Sequence, residues 1–360
     1  MKINCFGLAL EELQEILVSQ GAEKYRARQV AEWMYRRQAK TFSEMTSLPS
    51  AMRKQLAERL AIVRPVLRQE LRSADGKTAK SLLALADGCT VETVLMRHGY
   101  GNSVCVSSQV GCAMGCRFCA STLAGFVRNL TAGEMLGQIV YWQEILACEQ
   151  QKVDTVVVMG IGEPLLNYDN LLKFIRLCHA DYGPGMSYRS FTVSTCGLVP
   201  EIDRLAGEGL PINLAISLHA PDDVLRSALM PVNRRYNVAE VVDAGNRYAR
   251  TTGRRVTYEY NLIAGINDQP AHAEKLAVLL TGQLAAVNLI PLNPVPELKL
   301  KQPERSAVLK FASILQDHGI AVTIRKEMGG EIKAACGQLR AQTQSRKKPG
   351  NTDLLTNGKA

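Results

Sequence analysis

Apolar positions in the first 60 residues recur at helical spacing: Leu8, Leu10, Leu13, Ile16 and Leu17 before a break at Gly21, then Tyr25, Val30, Trp33 and Met34. Ser47-Leu48-Pro49-Ser50 offers a cap ahead of a third helical stretch, Met52–Leu60. From Arg68 to Arg97 the period shortens to that of strands. Two runs, Ser81–Ala86 and Thr90–Met96, flank Asp87-Gly88, a hairpin signal. After Gly101, β-rich runs at Val104–Ser108, Thr155–Met159, Ser190–Ser194, Ile212–Ser217, Val256–Tyr260 and Val287–Ile290 alternate with amphipathic stretches. Six such repeats predict an α/β fold with a parallel sheet, either open and doubly wound or curled into a barrel or partial barrel. A last strand, Ala321–Arg325, leads to a Gly329-Gly330 turn. The pattern divides the chain into a helical accessory domain (1–65), a β-hairpin connector (66–100), an α/β unit with a C-terminal loop (101–343) and a basic tail (344–360) that reads as disordered.

Several of those strands run into short polar or Gly/Pro segments, among them Gly160-Ile161-Gly162-Glu163-Pro164, Ser194-Thr195, Ser217-Leu218-His219 and Pro291-Leu292-Asn293-Pro294. In parallel α/β folds the carboxyl ends of strands are where sites are built. Composition narrows the class of protein. Over 360 residues, 46% are hydrophobic and 21% charged, which argues against intrinsic disorder and against a disulfide-stapled miniprotein. No run of about 18 apolar residues and no N-terminal signal pattern occurs, so no membrane association and a cytoplasmic location are expected. The net charge of +9 concentrates at the ends, with 13 basic and 9 acidic residues in 1–75 and 11 and 5 in 301–360. Basic ends suit a polyanionic partner; ordinary solvated helix faces are the alternative reading. Ten cysteines in a cytoplasmic chain are expected to be reduced thiols or ligands.

Three of those cysteines stand together. Cys112, Cys116 and Cys119 form C-x3-C-x2-C in a glycine-containing loop just after the first strand of the α/β unit. Soft thiolates select zinc, copper(I) or iron–sulfur clusters. A structural zinc wants four ligands, and no histidine lies between His98 and His179. A 4Fe-4S cluster held by three cysteines leaves one iron open to a small molecule, so the spacing favours a cluster over zinc or free thiols. Beyond the triad the residues read either way. Glu163 suits a ligand ammonium but also a surface turn; His219 suits a ligand site but also an ordinary hydrogen-bonded position at a strand end. Glu92, an acid in a strand, reads by itself as part of a solvated face. Cys336 lies in Ala335-Cys336-Gly337, past the Gly-Gly turn, where a deprotonated thiol could carry a group covalently.

The segments SSQVGCAMGCRFC (107–119), GIGEPLLN (160–167), ISLHAP (216–221), NLIPLNP (288–294) and ACGQLR (335–340) together resemble the RlmN/Cfr family of radical S-adenosylmethionine (SAM) enzymes that methylate adenine in RNA. The likeness runs over nearly the whole chain. It implies a radical-SAM partial (β/α)6 barrel with a helical N-terminal domain and a β connector. It also implies one 4Fe-4S cluster on Cys112, Cys116 and Cys119, and two SAM molecules per turnover. Gly162, Glu163, Ser194, Ser217, His219 and Asn293 match the family's SAM contacts. Cys336 matches the cysteine that takes a methyl group from a first SAM; hydrogen abstraction from that group by a radical derived from a second SAM lets its carbon add to the adenine ring. Glu92 matches the acceptor of the ring proton. Cys105 matches the cysteine that resolves the protein–RNA adduct, leaving a disulfide with Cys336. The implied substrates are an adenine of 23S rRNA and the adenine 3′ of the anticodon in some tRNAs, methylated at C2, with C8 methylation of the rRNA adenine as the rival. An external electron donor is required, and nothing demands an oligomer.

Aromatic residues are only 6% of the chain, so RNA recognition is expected to rest on phosphate contacts by the basic helical domain and on one splayed-out adenine. Cys5, Cys89, Cys148, Cys178 and Cys196 match no family role and read as buried small apolar residues. Two other classes remain open to test: an RNA-binding protein whose cluster is only structural, and a zinc-stabilised RNA-binding module.

Overall fold

The computed structural model describes residues 2–340, so the basic tail (344–360) lies outside the described residues. The N-terminal part comprises β1 (Ile3–Asn4), α1 (Leu10–Ser19), α2 (Tyr25–Tyr35), α3 (Ser50–Arg59) and β2 (Leu60–Ala61). Helical periodicity places α1 and α2, where Leu13 and Leu17, then Val30 and Met34, are fully buried on apolar faces; α3 buries only Leu56. Periodicity misses β1 and β2, which pair in parallel over two residues and are too short to show a period. This domain is joined closely to the rest: a Cβ on Gly7 would stand 2.4 Å from the backbone of Gly133.

Next come β3 (Val66–Arg72), β4 (Thr78–Ala84), β5 (Thr90–His98) and β6 (Gly101–Cys105), joined antiparallel. A small ribbon of β7 (Gln109–Gly111) and β8 (Phe126–Asn129) follows. Then helices and strands alternate: α4 (Ala132–Cys148), β9 (Thr155–Val158), α5 (Tyr168–His179), β10 (Phe191–Thr195), α6 (Val199–Gly207), β11 (Asn213–Ser217), α7 (Asp223–Leu229), α8 (Val238–Thr252), β12 (Val256–Leu262), α9 (Pro270–Leu280), β13 (Ala285–Pro291), α10 (Arg305–Asp317) and β14 (Ala321–Ile324). Among the described residues β6 and β9 to β14 run parallel in sequence order. Each parallel pair is bridged by helix, as parallel strands require.

The hairpin does not stand apart as a connector, because β3 to β5 continue the same sheet, giving ten strands in the order β14-β13-β12-β11-β10-β9-β6-β5-β4-β3. Strands such as β11, whose Leu214, Ala215 and Ile216 are all buried, have both faces covered. The sheet also curls. Met96 and His98 of β5 line the same cavity as Thr323 of β14, so strands far apart in the sheet order face each other across a seam. Among the described residues β5 and β14 do not pair, which leaves the barrel partial.

No described helix is long and apolar enough to cross a membrane.

Candidate active site

The three-cysteine loop is the excursion between β7 and β8. Its closure needs glycine: Gly111 has φ +74°, and a Cβ there would stand 1.7 Å from the Gly125 carbonyl oxygen. The Cys112 N–H donates to that same oxygen (3.2 Å), the Cys119 N–H donates to Cys116 O (3.2 Å) and the Arg117 N–H to Leu229 O (3.0 Å). Cys112, Cys116 and Cys119 all line one cavity of about 150 Å³ at the carboxyl ends of the parallel strands. No three His, Cys, Asp or Glu side chains among the described residues sit close enough to share a single metal ion. A 4Fe-4S cluster takes each thiolate on a separate iron at its corners, so it does not require the three sulfurs to converge on one ion. The three soft donors of the loop fit a 4Fe-4S cluster that keeps one iron open. Burial pushes the Cys112 thiol up to about 11 and Cys116 well above its ordinary value; iron held there would oppose that shift.

The same cavity is lined by Gly162, Glu163, Ser194, Ser217 and His219. Gly162 has φ +111°, and a Cβ there would lie 2.6 Å from the Gln109 side chain. Glu163 is buried, and its carboxylate accepts from the Leu165 N–H (3.0 Å) and the Cys196 N–H (2.7 Å). Burial raises its pKa, while those donors favour the ionised form. His219 has φ +59° and stacks edge-on against Phe118, 4.7 Å between ring centres. Its Nδ1 accepts from the Asn261 N–H (2.9 Å), leaving the ring proton on Nε2. Burial, and then the nearby Arg226 cation, lower its pKa to about 3, so the ring is neutral at physiological pH.

Cys336 lines this cavity and also a second one of about 500 Å³. The C-terminal segment that carries it is stitched to the cysteine loop: the Ala120 N–H donates to Gly337 O (2.7 Å) and Ser121 Oγ to Leu339 O (2.9 Å). Asn293 lines only the second cavity, where its Nδ2 donates to Cys336 O (3.0 Å). Cys105, at the end of β6, is buried and within electrostatic reach of Cys336. Burial, with Cys336 adding to it, pushes the Cys105 thiol up to about 12. The expected Cys105–Cys336 disulfide is not formed, and all ten cysteines are free.

Glu92 is not on a solvated face. It is buried in an ion pair with Lys80 (2.9 Å), and its other oxygen accepts from the Arg340 N–H (2.7 Å). Lys80 Nζ also donates to Lys333 O (3.0 Å), so this pair clamps the segment on both sides of Cys336. Cys148 is exposed and Cys89 only partly buried, against the expectation that all the unassigned cysteines are interior. Cys196 lines the first cavity.

Sequence reasoning missed two cations here. Arg226 is fully buried and donates to Cys196 O (2.6 Å), Leu218 O (3.2 Å) and Asn233 Oδ1 (3.0 Å), tying together the turns that follow β10 and β11. Lying inside a helix, it carried no signal. Arg325 lines both cavities and interacts electrostatically with Cys336, Glu259 and Cys105. It directly follows β14, so the strand-end rule that picked out Ser194 and Ser217 was available for it.

Comparison with known proteins agrees with this geometry. Residues 106–277 match the model of the radical SAM superfamily, and residues 3–62 match that of the "Ribosomal RNA large subunit methyltransferase N-terminal domain". A protein of Symbiobacterium thermophilum named "Probable dual-specificity RNA methyltransferase RlmN" is 52% identical over 343 residues, covering 94% of this chain and 91% of the relative. This chain belongs to the RlmN family of radical SAM enzymes. A family member of the same printed name from Geobacillus kaustophilus is 50% identical over 94% of this chain and 92% of its own length. The crystal structure of a radical SAM methyltransferase from Sphaerobacter thermophilus superposes with a TM-score of 0.91 at 46% identity, covering 94% of this chain and 99% of that one. The RlmN family fold is thus a radical-SAM α/β fold, and membership implies a 4Fe-4S cluster and SAM.

Proposed function

We propose that this chain is an RNA methyltransferase that methylates C2 of an adenine in 23S rRNA and of the adenine 3′ of the anticodon in some tRNAs, consuming two SAM molecules per turnover. The observation that carries this reading is the position of Cys336, which lines the cavity of the three-cysteine loop while lying within electrostatic reach of Cys105. An aromatic C2 is a poor nucleophile, and direct displacement on SAM does not serve it; a thiol able to receive a methyl and then hand on its carbon does. The names printed for the relatives and the match of the N-terminal domain support RNA as the substrate.

On this reading Cys112, Cys116 and Cys119 hold the cluster, and Gly162, Glu163, Ser194, Ser217 and His219 surround SAM beside it. When bound, cluster and SAM supply the one-electron chemistry that activates a methyl group. The Cys336 sulfur takes the methyl from a first SAM, forming an S–C bond as S-adenosylhomocysteine leaves and the thiol proton passes to solvent. Asn293 fixes the backbone at that sulfur. Glu92 receives the ring proton once the Arg340 segment shifts off its carboxylate. Cys105 then gives up its thiol proton and attacks the Cys336 sulfur; the bond from that sulfur to the transferred carbon breaks, the carbon takes up a proton to become the methyl group, and the disulfide left behind is reduced by an external electron donor before the next cycle. The exposed Arg36, Arg37 and Lys54 of the helical domain contribute phosphate contacts.

The test is nucleoside mass spectrometry with chromatographic standards on rRNA and tRNA incubated anaerobically with reconstituted protein, SAM and a reductant. 2-Methyladenosine in both RNAs is the expected result. 8-Methyladenosine would transfer the assignment to the rival regiochemistry, and intact SAM cleavage with neither product would remove the RNA substrate.

A further inference from the structure

The second cavity shares only Asn293 with the residues assigned to the cluster and SAM, and there its side chain is bonded to the Cys336 carbonyl. None of the three cluster cysteines and none of Gly162, Glu163, Ser194, Ser217 or His219 lines it. It meets the first cavity at Met159, Glu259, Ile290, Arg325 and Cys336 and runs outward between β5 and β14. At its mouth His98 and Tyr100 stack face to face, with ring centres 4.7 Å apart and planes 6° from parallel. Tyr100 is 76% exposed. An aromatic ring held flat by a partner and left open to solvent is uncommon in a chain with so few aromatics, and burial does not account for it. Arg325 lies within electrostatic reach of Tyr100, and Lys326 lines the cavity beside it.

From this arrangement we propose that the seam is the nucleotide entry, with the His98–Tyr100 stack as the platform on which a base of the RNA adjoining the target adenine rests. The inference rests on the reading of the chain as an RNA methyltransferase and adds the subsite that feeds Cys336. Three features favour a nucleobase. The ring pair offers one open π-face of base size. The walls behind it are mixed donors and acceptors, Ser103, Thr192 and Asn288 among them, as a heterocycle with both kinds of group requires. The path ends on the sulfur that must reach the ring. Arg325 and Lys326 supply cations for the adjoining phosphate.

Tyr100→Ala removes the open ring and, at an exposed position, leaves the fold intact. Steady-state methylation of full-length tRNA and rRNA by the reconstituted holoenzyme is expected to show KM for RNA raised roughly 5- to 150-fold, the range for loss of one base–aromatic stack, with kcat nearly unchanged. Tyr100→Phe, which keeps the face and drops the hydroxyl, is expected to restore KM. SAM cleavage without RNA, and methyl loading of Cys336, are expected to stay at the parental rate in both variants. An unchanged KM in Tyr100→Ala, alongside a parental enzyme that methylates RNA, overturns the platform alone. A parental enzyme that loads Cys336 but never methylates RNA overturns the functional reading and the platform with it. An unchanged KM with slower cleavage driven by a protein electron donor also overturns it and assigns the surface to that donor.

Discussion

The Lys80–Glu92 pair makes a quantitative claim about what holds Cys336 in place. Glu92 lies opposite Leu82 across β4 and β5, and Lys80 is two residues away on the same face, so the two are diagonal cross-strand neighbours. Their side chains are 9% and 8% exposed, too little for water to screen the charges. Replacing Glu92 with Gln keeps the volume and an acceptor for the Arg340 N–H but leaves the Lys80 ammonium with only the Lys333 carbonyl. An uncompensated buried charge of this kind costs about 3–5 kcal/mol. Lys80→Met strands the carboxylate instead and costs a similar amount. The double variant Lys80→Met/Glu92→Met removes both charges; it forfeits the hydrogen bonds to the Arg340 N–H and the Lys333 carbonyl, about 1 kcal/mol each, and is expected to be more stable than either single variant. The measurement is urea unfolding of the four proteins, with limited proteolysis after residue 330 to follow release of the C-terminal segment. Single variants costing less than about 1 kcal/mol, or a double variant as unstable as the two costs added, would refute the clamp. The same cycle separates structure from chemistry. If the double variant folds and loads a methyl on Cys336 yet makes no methylated RNA, Glu92 acts on the proton as well as on the fold.

Alanine at Cys112, Cys116 or Cys119 is expected to abolish the broad visible absorbance of the reconstituted protein and its SAM cleavage, with iron content following; zinc binding that survives in place of iron would count against the cluster. Gly111→Ala must hold φ +74° and place a methyl 1.7 Å from Gly125 O, so the β7–β8 ribbon cannot close and iron incorporation is expected to fall sharply although no ligand is touched. Cys105→Ala is expected to accumulate a covalent protein–RNA adduct through Cys336, visible as a band shift on denaturing gels, whereas Cys336→Ala gives neither adduct nor product. Full product from Cys336→Ala would end the methyl-cysteine mechanism.

Much of this protein is legible along the chain because the relevant physics is local. Helical and strand periods record which faces are buried, so α1, α2 and the alternation after Gly101 follow from residue order, and a loop of three cysteines within eight residues offers three soft ligands wherever it folds. The segments around Gly162, Ser217 and Asn293 stand at strand ends, and in a parallel sheet strand ends converge whatever the intervening helices are. Non-local pairing left no such trace. Glu92 reads as an ordinary strand acid until the fold brings Lys80 and the Arg340 amide onto its carboxylate. Arg226 reads as a helix-surface cation until the turns after β10 and β11 close over it. Two short parallel strands escaped because two residues have no period. Sequence thus determined most of the elements, the three-cysteine loop and the residue types at the strand ends. Only the tertiary structure decided that β3 to β5 extend the barrel sheet, that Asn293 serves the Cys336 backbone, and that a second cavity opens behind that sulfur. Each of those depends on how far the sheet curls, which is fixed by side chains packing across hundreds of residues of chain and by no short stretch of it.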